Sequence, residues 1–221
     1  MDLGAEDMSL RYLPFRAFQA VLFRFSAHQR AKRARRFIEL MAPSPGMRII
    51  DLGGQPESWA PIPGPLDITI VNLPGIVVTP LEVGTHRITL EEGDACNLVH
   101  YQDRSFDLAF SNSVIEHVGD AKARAALARE ARRLAPRYWI QTPSIWFPVE
   151  AHTGMPFWWF YPEALRRWLK DRWRRKLPAW TEMIDGTTVL KRQEIETLFP
   201  EATIWTERLA IFPKSYIAWH R

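Results

Sequence analysis

The sequence predicts an α/β fold: a doubly wound, mostly parallel sheet of seven strands with an N-terminal helix and an aromatic-rich lid insertion. Three observations carry the expectation. Short apolar runs alternate with connections long enough for crossovers between parallel strands. Two of the runs, "MRIIDLGGQPESW" from Met47 and "FDLAFSNSVIEHV" from Phe106, end in small and polar residues at their carboxyl ends, where an open α/β sheet binds its ligand. Between the later strands lies an amphipathic helical stretch, Asp120 to Ala135, with Ala123, Leu127, Ala131 and Leu134 on one face.

The elements follow in order. Arg16 to Met41 reads as a helix, because Ala20, Phe23, Ala27, Ala31, Ala34, Ile38 and Met41 recur at spacings of three or four. Pro43 and Pro45 end it. Strands are expected at Arg48–Leu52, Asp67–Asn72, Arg87–Glu91, Phe106–Phe110 and Arg137–Gln141. The first two crossovers are proline-rich and just long enough to return the chain, so they have no room for full helices and one sheet edge is thinly covered. Asp120 caps the helix after the fourth strand. Pro162 opens another helix, with Leu165, Trp168 and Leu169 on one side. A last helix near Val189–Phe199 precedes strands near Ala202–Leu209 and Ser215–Trp219.

With 221 residues, one domain with a sizeable core is expected over 1–221. Its parts are a helical arm at 1–45, a ligand-binding core at 46–142, an insertion at 143–180, and a closing helix and strands at 181–221. An apolar fraction of 47% and a charged fraction of 24% are those of a soluble globular chain. The single Cys96 excludes an internal disulfide framework and suits a reducing cytoplasm. The opening "MDLGAEDMSL" carries acids before any base and reads as no secretory signal, and no apolar run approaches the ~18 residues of a membrane span. The net charge of +4 conceals two basic segments, Arg11–Ile38 and Arg166–Lys176, both rich in aromatics. Such segments suit an anionic membrane surface, an acidic lipid-like substrate or, less well, nucleic acid; the plainer reading is a solvated helix face.

The strand–Asp–Gly–Gly turn at Asp51, Gly53 and Gly54, the "EEGDA" run at Glu91–Ala95 and the "SNSVIEHV" run at Ser111–Val118, in this order, resemble the class I methyltransferases that use S-adenosylmethionine. The resemblance covers roughly residues 30–145. It implies that Asp51, Gly53, Gly54 and Gln55 hold the methionine and ribose parts of the cofactor. The family's third glycine is replaced by Gln55-Pro56, and G-x-G-x-x-G, the mark of a dinucleotide site, is absent. Where the family places a ribose-binding acid, this chain has Asn72, followed by Leu73; alternatively Asn72 only ends its strand. The resemblance puts the adenine amino group on Asp94 and its ring nitrogen on the backbone of Ala95, against the alternative of an Asp-centred turn. Ser111 and Asn112 would line the cofactor, and His117 would pack on it or face the acceptor.

The segment after the fifth strand, "TPSIWFPVEAHTGMPFWWFYPEALRRW", loosely resembles an acceptor-side insertion found in bacterial members. Glu150 and His152 are two apart, so in an extended segment they point the same way. Such a pair suits proton removal from a hydroxyl acceptor, or else fixes a long loop. Trp146, Phe147, Phe157, Trp158, Trp159 and Phe160 would wall a pocket or pack the insertion itself. No ligand spacing for a metal stands out. The expected activity is methyl transfer to oxygen or nitrogen of a small or lipid-like acceptor; the alternatives are an RNA or protein methyltransferase, or a noncatalytic partner protein. The oligomeric state is not legible.

Overall fold

The computed structural model describes residues 29–76, 78, 82–150 and 152–221. The expected start of the first helix and the aromatics of the N-terminal arm lie outside them.

Seven strands form one sheet: β1 Arg48–Leu52, β2 Asp67–Asn72, β3 Arg87–Glu92, β4 Leu108–Asn112, β5 Tyr138–Pro143, β6 Thr203–Leu209 and β7 Phe212–His220. Their order is β3-β2-β1-β4-β5-β7-β6. The β1–β2, β1–β4, β2–β3 and β4–β5 pairs are parallel, whereas β7 runs antiparallel to both neighbours. Strand order, not strand direction, reverses across the parallel β1–β4 pair: β2 and β3 lie on one side and β5 on the other. The carboxyl ends of β1 and β4 therefore flank the crevice in which such sheets bind ligands. The fourth and fifth strands begin one or two residues later than the apolar pattern suggests, because their polar tips continue the ladder: Asn112 pairs with Gln141.

The strands of the sheet centre are buried on both faces, which explains their near-continuous apolar sequences. Ile49, Ile50, Leu52, Ile68 and Ile70 are all at 0% exposure. β3 at the edge has no buried residue.

Helices fall in two compact units. The first unit holds residues 1–42 and 61–63, and its described part contains a helix, α1, over residues 29–41. Phe37 and Met41 are its buried apolar positions, while Ala31 is exposed. The stripe is thus rotated from the expected one: one phenyl ring removes far more apolar area from water than an alanine methyl, so Phe37 sets the buried face. Arg30, Lys32, Arg35 and Arg36 are exposed.

In the second unit, α2 (Ala121–Leu134) starts where Asp120 accepts from the N–H groups of Lys122 and Ala123, each at 2.9 Å. Its Leu127, Ala128, Ala131 and Leu134 join the core with Ile50, Ala109 and Ile140 from the sheet. Helices α3 (Glu163–Arg174), α4 (Pro178–Asp185) and α5 (Arg192–Leu198) follow. The sequence reading missed α4, which is short and lacks a strong apolar period. The expected buried side of α3 is not buried: Leu165 and Trp168 are exposed. The helix is held instead through Trp173, which packs on Trp158 and Trp180 with ring centroids 5.4 and 5.1 Å away. No described helix is long and apolar enough to cross a membrane.

Candidate active site

The turn after β1 is built around a buried carboxyl. Asp51 is fully buried, and its Oδ2 accepts from the indole Nε1 of Trp59 at 2.8 Å. Trp59, eight residues downstream, reaches that position because Pro56 starts a single 3₁₀ turn, Pro56–Trp59. Oδ1 has no hydrogen-bond partner. Burial pushes the carboxyl up to about 7, with the Trp59 bond opposing it.

Gly54 lies directly on this carboxyl, since a Cβ there would stand 1.8 Å from Asp51 Oδ2. Gly53 has φ +81°, and a Cβ on it would meet Val114 at 2.7 Å. Both positions therefore require glycine, one for space and the other for space and conformation. Asn72 closes the same turn: its Nδ2 donates to Gly54 O at 3.0 Å. An aspartate could not make that bond, which accounts for an amide where the resemblance leads one to expect an acid.

Beside this turn is a cavity of about 580 Å³, within the ~300–1,000 Å³ of small-molecule sites. Gly53, Asn72 and Leu73 line one side, Gly93, Asp94, Ala95 and Cys96 the next, and Ser113, Val114 and His117 the third. Met183 and Gly186 complete it. The expected residues thus separate into two groups. Gly53, Asn72, Leu73, Asp94, Ala95 and His117 face the cavity, whereas Asp51, Gly54, Gln55, Ser111 and Asn112 are absent from its lining. Ser111 is fully buried and donates to Leu52 O at 3.0 Å, so it ties β4 to β1. Its neighbour Ser113, with φ +59°, takes the lining position. Asp94 makes the Asp-centred turn as well, accepting from Cys96 N–H at 2.8 Å. A bound small molecule with hydrogen-bonding groups at both ends would fit between the Gly53 turn and Asp94.

His117 is the link to the inserted segment. Its Nε2 lies 3.1 Å from Nε2 of His152, whose Nδ1 lies 2.7 Å from Oε1 of the buried Glu150. Glu150 Oε2 also accepts from the N–H groups of His152 and Thr153 at 2.9 and 2.6 Å. On its far side, His117 Nδ1 is 3.1 Å from Thr187 Oγ1, and that hydroxyl donates to Met183 O at 2.8 Å. The bond to Glu150 raises His152 against the effect of burial. Burial works to raise Glu150, but the bonds it accepts outweigh this and hold it below the usual range. Burial, then the neighbouring His152 charge, lowers His117 to about 4.

The carboxylate of Glu116, at 0% exposure, completes a cluster in which one ligand atom each from Glu116, His117 and His152 lies within 4.8 Å of the others. Sequence spacing gave no sign of it, because His152 comes 35 residues after His117. The inserted aromatics do not line the cavity. Trp158 is buried on Trp173 and Tyr161, while Trp146, Phe157 and Phe160 are exposed. Of the two readings of these rings, packing of the segment is the one the geometry favours. Trp59, Cys96, Val114, Met183, Gly186 and Thr187 were not anticipated; only the Pro-initiated "PESW" turn offered a signal.

Comparison with known proteins follows the same lines. Residues 77–137 match a family model described as a methyltransferase domain. No curated protein matches the sequence. Among solved structures, a S-adenosylmethionine-dependent methyltransferase from Methanosarcina mazei superposes with TM-score 0.51 at 16% identity, covering 82% of this chain and 95% of that one. A possible exported protein from Bordetella parapertussis gives 0.53 at 13% identity, over 87% of this chain and 67% of that one. Phosphoethanolamine N-methyltransferase 2 of Haemonchus contortus gives 0.50 at 14%, over 79% and 38% respectively. At these identities the superpositions show the fold, and the matched domain covers residues 77–137 alone. The matched domain and the shared fold agree with the resemblance read from the sequence, to S-adenosylmethionine-dependent methyltransferases.

Proposed function

We propose that the protein transfers a methyl group to an oxygen or nitrogen of a small or lipid-like acceptor that enters the cavity on the His117 side. The observation that supports this is a cavity lined together by the Gly53 turn, Asp94 and an imidazole backed by Glu150–His152. The cofactor supplies a methyl group on an already electrophilic sulfonium, so the protein's tasks are placement and exclusion of water. Gly53 and Asn72 would hold its amino-acid and ribose parts, and Asp94 and Ala95 its adenine. Asp51 acts from below, fixing the turn through Trp59 and Gly54. His117 lines the acceptor side, its ring held by Thr187, and the His152–Glu150 pair behind it gives the acceptor's proton a place to go. Met183 and Gly186, which follow the inserted segment, help to close the site. That a fold neighbour is named for methylating phosphoethanolamine fits an acceptor of modest size.

The test is a methyl-labelled S-adenosylmethionine assay against small hydroxyl and amine acceptors, lipid vesicles, RNA and protein. Label in a small or lipid product that is lost in a Gly53→Val variant supports the reading. Label only in RNA or protein, or none with any acceptor, contradicts it.

A further inference from the structure

The two histidines present a problem of proton bookkeeping. A carboxylate only accepts, so His152 Nδ1 carries a hydrogen toward Glu150. The Thr187 hydroxyl places its hydrogen on Met183 O, so its oxygen accepts and His117 Nδ1 carries a hydrogen too. With both outer nitrogens protonated, the two inner Nε2 atoms of the neutral rings hold lone pairs that face each other at 3.1 Å. These proton positions follow from the bonding pattern. Facing lone pairs at that distance repel unless a cation lies with them, and two cations are available in principle: a proton or a metal ion.

Three features accord with a metal ion. The buried Glu116 carboxylate brings a third donor within 4.8 Å, giving two imidazoles and one carboxylate. The Nε2–Nε2 separation is near the ~3.3 Å expected for two nitrogens each ~2.0–2.1 Å from a tetrahedral zinc ion. Each of the three donors also has an outer partner that fixes its direction: Glu150 for His152, Thr187 for His117, and Thr142, which donates to Glu116 Oε2 at 3.0 Å.

We propose that Glu116, His117 and His152 bind a first-row divalent transition metal, zinc fitting the donor set best, with a coordination position open toward the cavity that His117 lines. Metal binding itself is independent of what the acceptor is. Its consequence rests on the function proposed above: an acceptor hydroxyl on the open position becomes more acidic, and the imidazoles act as ligands in place of accepting the proton.

The experiment uses the full chain, freed of metal with a chelator and titrated with Zn²⁺ by calorimetry and with Co²⁺ by visible absorption. One site per chain is expected, with the absorption of a four- or five-coordinate cobalt ion. His117→Ala and His152→Ala should abolish it. Glu150→Gln and Thr187→Val, which keep all three ligands, should weaken it by ~10–100-fold. Absence of one-site binding, or equal affinity in the two ligand variants, overturns the proposal and leaves a proton between the rings. If an alanine variant fails to fold, unchanged affinity in both outer-partner variants overturns it equally. Methyl transfer that survives chelation but falls in His152→Ala would remove the metal while sparing the proposed reaction.

Discussion

The indole of Trp59 donates across 2.8 Å to Asp51, a carboxyl at 0% exposure beneath Gly54. This bond holds the first strand-end turn in the shape that forms the cavity edge. Replacing Trp59 with Phe keeps an aromatic body but removes the donor. Leaving a buried polar group unmet costs ~1–3 kcal/mol, so urea unfolding of Trp59→Phe should show a loss of that size. An unchanged midpoint would show that the turn does not depend on the bond.

Asp51 also sets a pH dependence. Its folded-state pKa of about 7 lies above the ordinary 3.8. The folded form therefore holds a proton that the unfolded form has lost between these values, and stability falls as pH rises through that window. Below it the carboxyl is neutral in both states, and above it the loss is complete. The whole effect is at most about 4 kcal/mol, from ~1.4 kcal/mol per pH unit. Unfolding of the cofactor-free chain from pH 4 to 8 should show the decline, and Asp51→Asn should flatten it. A slope that persists in Asp51→Asn would assign it elsewhere.

Asn72 offers a sharper test of the turn. Asn72→Asp is nearly isosteric, yet it replaces the donor to Gly54 O with an acceptor that faces it. A loss of at least ~1–3 kcal/mol in stability is expected. A gain in cofactor affinity without such a loss would mean that a ribose acid is tolerated and that the amide serves no structural end.

On the acceptor side, His152→Ala should lower turnover by ~10²–10⁴-fold while cofactor affinity stays near that of the parent. Glu150→Gln should lower it less, because an amide oxygen still accepts from the ring. Steady-state kinetics with an identified acceptor decides this. Equal turnover in parent and variants would reduce the chain of side chains to a loop clamp.

The seven strands and the places of Asp51, Gly53 and Asp94 at their ends were legible because strand-end chemistry is local: a run of five to eight residues contains the strand, its turn and its polar tip. What the sequence concealed were relationships across distance. Ser111 reads as a ligand-facing serine, but the β4–β1 pairing brings it to Leu52 O. The meeting of His117 with His152 depends on the path of the inserted segment, which no periodicity encodes. Its aromatics were read as either pocket wall or internal packing, and Trp173 between Trp158 and Trp180 shows packing for these rings.

The central claim, that the cavity between Gly53 and Asp94 holds the cofactor, is tested most directly by calorimetry with S-adenosylmethionine and S-adenosylhomocysteine. The account predicts one site per chain, abolished by Gly53→Val and weakened by ~1–3 kcal/mol in Asp94→Ala, the range for an unmet buried polar partner. Absence of binding, or full affinity in both variants, would contradict it.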